Sequence, residues 1–292
     1  MPDGNPRRLD GLLLVIFSSL WFSATTMLVK ALGPGVPVAL VSFMRCAVSI
    51  PFVAAMMIRT GTSFRSENAP RLILRGLWGV LAMACQFWAL PRIPLANAML
   101  MTHSSPIYAA LWGVLFLDET LDRTAVACLA VAFSGVYVTL RPELDLNSLP
   151  HFVALMGGIF ASLAFATIKS LTKSESPLRI VFYFTLIGTA AFLPGALKAG
   201  AAFSALQWTL MAFVGITATV GQVFLTAGIG RAPVSRASIG ALLIIVINIA
   251  GGWVFWGELP DGWTAVGCVL IVGGILGLTS AVRRRLLVTV AE

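Results

Sequence analysis

The chain has 292 residues, of which 58% are hydrophobic and only 11% are charged, whereas a typical soluble domain carries about 25% charged residues. Its 20 basic and 12 acidic side chains are too few to cover the surface of a soluble protein of this length. This composition excludes a soluble enzyme, a disordered chain and a secreted disulfide scaffold, and it indicates an integral membrane protein.

Ten segments of the chain are apolar and long enough to cross a membrane. A transmembrane helix needs roughly 20 residues, because it crosses about 30 Å of hydrocarbon at about 1.5 Å per residue. The first segment is too long for the apolar core of a signal peptide, so we expect it to be a retained span. The sequence therefore predicts an all-α membrane protein whose transmembrane helices cover residues 11–32, 36–58, 72–91, 94–117, 124–140, 151–172, 177–198, 206–229, 233–256 and 263–282.

Basic residues are distributed unevenly between the connectors. If the N-terminus is cytoplasmic, fourteen Lys and Arg residues fall on the cytoplasmic side and four on the outer side. Because cytoplasmic loops carry the excess of positive charge, we expect both termini to be cytoplasmic, and the net charge of +8 needs no nucleic acid partner. The cytoplasmic set is Arg7, Arg8, Arg59, Arg65, Arg71, Arg75, Arg123, Lys173, Arg179, Arg231, Arg236 and Arg283 to Arg285, and the outer set is Lys30, Arg92, Arg141 and Lys198.

The two halves of the chain repeat one another at an offset of 139 residues. Five helices per half is an odd number, so the halves must cross the membrane in opposite senses. Inverted repeats are typical of secondary transporters that bind their substrate near the midplane. We predict two five-helix repeats, 1–145 and 146–292. The alignment matches Lys30 with Lys169, Arg92 with Arg231, Pro94 with Pro233, Glu119 with Glu258, and Asp122 with Asp261.

The sequence contains no pattern typical of a catalytic, metal or cofactor site. Asp122 and Asp261 stand where the fifth and tenth helices begin, so they are predicted to cap helices rather than to catalyse a reaction. Each of the four cysteines stands alone in an apolar segment, so all are predicted to be free thiols. They are Cys46, Cys85, Cys128 and Cys268.

Several short motifs carry a resemblance to a known family. They are Phe43-Met44-Arg45, the run from Ala89 to Ala98, Ser105-Pro106, the run from Leu117 to Leu121, and the run from Phe255 to Pro260. On these motifs the chain resembles the ten-helix EamA-type branch of the drug/metabolite transporter superfamily. In overall pattern it resembles the aromatic amino-acid exporters of bacterial inner membranes. The resemblance implies an inner-membrane exporter of amino acids or other small metabolites.

Two ionisable residues lie near the middle of predicted helices, where burial of charge is costly and function is the first explanation. Arg45 lies near the centre of the second helix. Its guanidinium group either binds a substrate carboxylate or holds backbone carbonyls between helices. His103, near the centre of the fourth helix, is either a proton-coupling group or a neutral hydrogen-bonded side chain. Because no Asp or Glu lies mid-helix, we favour weakly coupled or facilitated efflux.

Aromatic and amide side chains at a similar depth complete the predicted substrate site. Tryptophan normally favours the membrane interface, yet Trp21 and Trp78 lie near the middle of the first and third helices. Aromatic walls with one arginine and a few amides suit a zwitterion with an apolar side chain, although a packing role explains the tryptophans equally well. The remaining substrate-site candidates are Gln86, Tyr108, Gln222 and Asn248.

Lys30 and Lys169 lie near helix ends at matched positions of the two repeats. They either extend to the membrane interface or act as gates at opposite ends of the transport path. Gly273 and Gly277 have the GxxxG spacing of close helix contacts. We expect it to pair the fifth and tenth helices within a monomer or weak dimer.

The leading hypothesis is an alternating-access exporter in which the two halves rock about a central site that binds a small molecule. One alternative is another cargo, such as a nucleotide-sugar, a phosphorylated metabolite or a cationic drug. Phosphorylated cargo would need more basic residues in the cavity than one mid-membrane arginine. A second alternative is an intramembrane lipid-modifying enzyme, for which two histidines far apart in the sequence provide no catalytic set.

Overall fold

The computed structural model describes residues 7–33, 35–89, 92–93, 95–119, 122–141, 149–200 and 202–291. This part of the chain contains twelve helices and no strand. The predicted repeat boundary at 145 and 146, and Pro94, lie outside the described residues. The helices are α1 (Arg7–Leu32), α2 (Val38–Arg59), α3 (Ala69–Ala89), α4 (Leu95–Thr102), α5 (Ser105–Leu117), α6 (Arg123–Leu140), α7 (Leu149–Leu171), α8 (Pro177–Lys198), α9 (Ala205–Arg231), α10 (Val234–Gly240), α11 (Leu243–Trp256) and α12 (Gly262–Ala291).

Helices occupy the described part of each of the ten predicted spans, which confirms the all-α fold. Nine described segments are long and apolar enough to cross a membrane. The tenth span is α3, whose hydropathy is lowered by Arg71, Arg75 and Gln86.

Two of the predicted spans are broken rather than continuous. The fourth span divides into α4 and α5 at His103 and Ser104, and the ninth divides into α10 and α11 at Ala241 and Leu242. His103 and Leu242 are matched by the 139-residue offset, so the two repeats break at the same place. In the first repeat the break precedes Pro106, which has no N–H to donate to the preceding turn.

The two inverted repeats interlock rather than lie side by side. The described contacts pack α1 against α9 and α3 against α7, which are equivalent pairs under the repeat. Helix α2 packs against its own repeat partner, α8. A substrate site between α2 and α8 would therefore lie at the interface of the two halves.

Helices α6 and α12 pair closely, as predicted, and of the two glycines in the predicted GxxxG spacing Gly277 faces α6, where a Cβ atom on it would lie 3.3 Å from the Cys128 Sγ, whereas Gly273 does not. A Cβ atom on Gly274 would lie 2.8 Å from the Ala132 Cβ, and one on Gly135 would lie 2.6 Å from the Gly267 carbonyl oxygen. No described atom lies within 4 Å of such a position on Gly273. The small residues that allow the close approach are therefore Gly135, Gly267 and Gly274.

Candidate substrate site

A narrow cavity lies between α2, α8 and α9 at the interface of the repeats. Its volume is about 10 Å³, roughly the space of one water molecule and far below the roughly 300–1,000 Å³ of a pocket that encloses a drug-sized ligand. In this conformation the site is therefore closed around its side chains. The lining residues are Arg45, Cys46, Ser49, Val181, Phe184, Thr185, Ala218, Thr219 and Gln222.

Arg45 provides the positive charge of the cavity. Its guanidinium carbon lies 5.7 Å from the centre of the Phe22 ring on α1. The residue that matches Arg45 in the second repeat is Phe184, which lines the same cavity. The two repeats therefore contribute different chemistry to one site, with a cation from α2 and an aromatic ring from α8.

Hydroxyl groups connect α2 to α9 beside Arg45. The Ser49 and Thr219 hydroxyls are hydrogen-bonded at 2.6 Å. The Ser49 hydroxyl also donates to the Arg45 carbonyl oxygen at 2.6 Å. Gln222 lies one turn beyond Thr219 on α9 and is buried. The cavity thus combines a fixed cation with neutral groups that can donate and accept hydrogen bonds.

Arg75 is the residue that sequence analysis missed. Counting it among the cytoplasmic connector residues is wrong, because it lies seven residues into α3 and only 3% of it is exposed. Its guanidinium carbon stands 4.2 Å from the centre of the Phe184 ring, which also lines the Arg45 cavity. Its position inside the predicted third helix was the available signal.

Among the described residues, neither Arg45, which is half-buried, nor the buried Arg75 has an acidic partner. In the described part of the chain, the carboxylates that form ion pairs are those of Asp122, Glu175, Glu258 and Asp261, and none of these pairs involves Arg45 or Arg75. The Nε and Nη1 atoms of Arg75 also have no hydrogen-bond partner there. Two unneutralised guanidinium groups beside one cavity make this region strongly attractive to anions.

The predicted aromatic residues lie on helices that surround the cavity. Trp21 packs against α9, where a Cβ on Gly221 would lie 3.2 Å from the Trp21 Cβ. Trp78 stacks on Phe160 of α7 with ring centres 5.7 Å apart. The side chains of both tryptophans are half-buried, and neither lines the cavity itself.

Four polar candidates stand at other positions in the bundle. Gln86 lies where α3 approaches Gly157 of α7. His103 lies at the break between α4 and α5, and Tyr108 follows on α5. The Oδ1 atom of Asn248 on α11 is buried without a described hydrogen-bond partner. Of the eight predicted substrate residues, the structure brings only Arg45 and Gln222 together in the cavity.

The two predicted gate lysines lie at opposite ends of the bundle. At one end, Lys30 forms an ion pair with Glu258, and its Nζ lies 4.7 Å from the centre of the Trp256 ring. At the other end, Lys169 donates hydrogen bonds to the carbonyl oxygens of Gly230, at 3.1 Å, and Ala232, at 2.7 Å.

The two matched aspartates cap helices, as predicted. Asp122 accepts a hydrogen bond from the Ala125 N–H at 2.6 Å, and Asp261 accepts one from the Thr264 N–H at 2.9 Å. The hydrogen bonds from Thr264 and the ion pair with Arg141 lower the pKa of Asp261 to about 2. Among the described residues, no group of three or more His, Cys, Asp or Glu side chains could hold a metal ion.

The sequence also matches a family model twice. Residues 9–141 and 148–280 each match the EamA-like transporter family. The chain belongs to the EamA-like transporter family. The double match agrees with the two repeats of the structure, and it makes the chain a multi-pass membrane transporter.

Several curated EamA-like relatives match almost the whole chain. The pseudopaline exporter of Pseudomonas aeruginosa is 31% identical over 272 residues, covering 92% of this chain and 96% of that protein. The riboflavin transporter of Rhizobium johnstonii is 25% identical, covering 96% and 94%. The S-adenosylmethionine uptake transporter of Rickettsia conorii is 25% identical, covering 93% of each chain.

The fold also matches a known crystal structure. The TM-score is 0.82 with 20% sequence identity, and the match covers 95% of this chain and 99% of that chain. At this identity the likeness shows a shared fold and nothing about function.

Proposed function

We propose that this EamA-like transporter exports small amphipathic metabolites that carry a carboxylate, with neutral or aromatic amino acids as the simplest cargo. The observation that carries the proposal is Arg45, a cation without an acidic partner among the described residues, in a cavity between the two inverted repeats. Burying a charge inside the membrane costs free energy, so a charged residue at this position indicates a function.

Side chains in or near this cavity suit each part of an amino acid. The Arg45 guanidinium binds the carboxylate through paired N–H groups. The side-chain oxygens of Gln222, Thr185 and Ser49 accept hydrogen bonds from the ammonium group. The Phe184 ring provides apolar surface for the rest of the cargo, with Trp21 and Trp78 on neighbouring helices as further aromatic surface.

The named relatives transport small molecules, and they include both an exporter and an uptake transporter. The pseudopaline exporter is the most similar of the three at 31% identity, whereas another relative is an uptake transporter. We therefore propose export.

Alternating access supplies the mechanism. The two inverted halves rock about the site, while Lys30 and Lys169 act in gates at opposite ends of the path. In the proposed topology both termini are cytoplasmic, so the Lys169 end faces the cytoplasm. No Asp or Glu side chain lies mid-span within the described helices. Proton coupling therefore requires His103, and without it efflux is facilitated.

Counterflow in proteoliposomes tests the proposed cargo. We expect saturable flux of neutral or aromatic amino acids that is lost in Arg45→Ala and falls in Trp78→Ala. Arg71→Ala is the matched control, because Arg71 is exposed on α3. Flux of nucleotide-sugars or drugs without amino-acid flux would overturn the cargo. If His103 couples protons, His103→Gln abolishes the pH dependence of flux, and an unchanged dependence excludes that role.

A further inference from the structure

Arg75 has the features of a ligand-binding residue rather than a structural one. A structural arginine in a membrane bundle uses its N–H groups on backbone carbonyls or carboxylates. In contrast, two nitrogen atoms of Arg75 are buried without a partner among the described residues. Its contact with the Phe184 ring attracts the cation but satisfies none of its five N–H donors.

Gly79 leaves space for the Arg75 guanidinium group beside the Phe184 ring. A Cβ atom on Gly79 would lie 2.9 Å from Arg75 Nη1 and 2.7 Å from the Phe184 ring. Only glycine at position 79 leaves room for both groups. The same Phe184 ring forms a wall of the Arg45 cavity, so a change in its rotamer would open that cavity towards Arg75.

Arg45 and Arg75 form a pair of like charges in a medium of low dielectric constant. Arg45 lies about 5 Å from the middle of α2 and Arg75 about 6 Å from the middle of α3, on opposite sides of the midplane, at about 1.5 Å per residue. Both adjoin Phe184, which lines the Arg45 cavity and whose ring centre lies 4.2 Å from the Arg75 guanidinium carbon. A single carboxylate neutralises only one of these charges. A ligand with two anionic groups neutralises both.

We propose that the cargo carries two anionic groups, one bound by Arg45 and the other by Arg75, together with an apolar part against Phe184. This inference rests on the proposed function and narrows its substrate class, from zwitterionic amino acids to amino-acid derivatives with net negative charge. The second group is a carboxylate or a phosphate monoester, since a guanidinium group binds either through paired N–H donors.

Three related probes separate these possibilities in counterflow experiments. Phenylalanine carries one carboxylate, N-carboxymethyl-phenylalanine carries two, and phosphotyrosine carries a carboxylate and a phosphate monoester. We expect kcat/KM for at least one dianionic probe to exceed that for phenylalanine at least tenfold, and the probe that is carried identifies the second group. Equal or lower values for both dianionic probes overturn the inference and leave the amino-acid proposal intact.

Variants then assign the second group to Arg75. Arg75→Gln lowers kcat/KM for the dianionic probe at least tenfold and changes that for phenylalanine less than twofold. Arg75→Lys restores part of the loss, and Arg71→Gln changes neither. If Arg75→Gln lowers kcat/KM equally for the dianionic probe and for phenylalanine, Arg75 has a structural role and the inference is wrong. If Arg45→Gln leaves all fluxes unchanged, the proposed function itself is wrong.

Thermal unfolding of the purified protein gives a readout that does not depend on transport. The dianionic probe raises the Tm of the wild type but not that of Arg75→Gln. Without ligand, Arg75→Gln unfolds at a higher temperature than the wild type, because the substitution removes an unpaired buried charge. A lower Tm for the ligand-free variant, or the absence of any shift with either dianionic probe in the wild type, contradicts the proposal.

Discussion

The two ends of the bundle carry matched residues but use them differently. At the end marked by Asp261, Lys30 and Glu258 pair with each other, and their side chains are 41% and 58% exposed. At the end marked by Asp122, the matched residues Lys169 and Glu119 both hold the backbone where α9 turns into α10. Glu119 accepts hydrogen bonds from the N–H groups of Val234, at 2.6 Å, and Ser235, at 3.3 Å.

The capping aspartates show the same contrast. Asp122 pairs with Arg236 at 3.0 Å, and the two side chains are 22% and 8% exposed. Asp261 pairs with Arg141, and both side chains are about half exposed. Exposed ion pairs contribute little, because water competes for both partners. The Asp122 end is therefore held together by buried polar contacts and the Asp261 end by exposed ones.

The broken helices also pack more closely at the Asp122 end than at the Asp261 end. Helix α5 packs against α10 near the Asp122 end, whereas the described parts of α4 and α11 share few contacts. We interpret the structure as a conformation closed at the Asp122 end and looser at the Asp261 end. With the proposed topology, this is the state in which a cargo leaves towards the outside.

The largest expected effect comes from the partly buried ion pair, in which Arg236 is buried and Asp122 is half-buried. Asparagine still caps a helix, so Asp122→Asn removes the charge partner of Arg236 without removing the cap. We expect a loss of roughly 3 kcal/mol in the free energy of unfolding, since breaking a buried pair leaves an uncompensated charge. Denaturant unfolding in detergent measures it. Asp261→Asn is the matched control and should unfold like the wild type. Equal losses in both variants would remove the distinction between the two ends.

An intermediate effect is expected on the conformational equilibrium. Glu119→Gln weakens the charge-assisted contacts to the start of α10, so it should open the Asp122 end and expose Cys46, which is buried in the cavity wall. We expect alkylation of Cys46 by a maleimide to become several-fold faster, with the other three cysteines replaced by serine. Glu258→Gln is the matched control, with a change below twofold. A larger change in Glu258→Gln would reverse the assignment of the closed end.

Hydropathy and the 139-residue offset between the repeats were sufficient to predict the helical architecture. The predicted span 177–198 coincides with α8, and Asp122 and Asp261 cap α6 and α12 as expected. The breaks at His103 and Leu242 were not predictable in this way, because hydropathy measures transfer of side chains and ignores the backbone hydrogen bonds that are lost at a break.

Only part of the substrate site could be predicted from the sequence. Depth within a span identified Arg45 and Gln222, since any polar residue near the midplane is costly. Arg75 was not identified, because it stands near the start of the predicted span 72–91, where an arginine either extends to the interface or turns inward, and only tertiary packing decides between them. On α3, Arg71 is exposed while Arg75, one turn later, stacks on Phe184.

The smallest expected effect is a difference in acid sensitivity between the two ends. At the Asp122 end, burial raises the pKa of Glu175, but hydrogen bonds from Ser66, Arg179 and Asn68 outweigh it and leave that pKa below its usual value. A carboxylate with a lowered pKa stabilises the folded state above its unfolded pKa, about 4.3 for glutamate. This contribution is lost as the pH falls through the folded pKa. We therefore expect Glu175→Gln to flatten the dependence of Tm on pH below about 5. Asp261 loses its contribution between its unfolded pKa, about 3.9, and its folded pKa of about 2. Asp261→Asn should nevertheless change the dependence less, because the Asp261 ion pair is half exposed and water competes for it. A larger effect of Asp261→Asn than of Glu175→Gln on the pH dependence of Tm would show that the Asp261 end, rather than the Glu175 cluster, limits stability in acid.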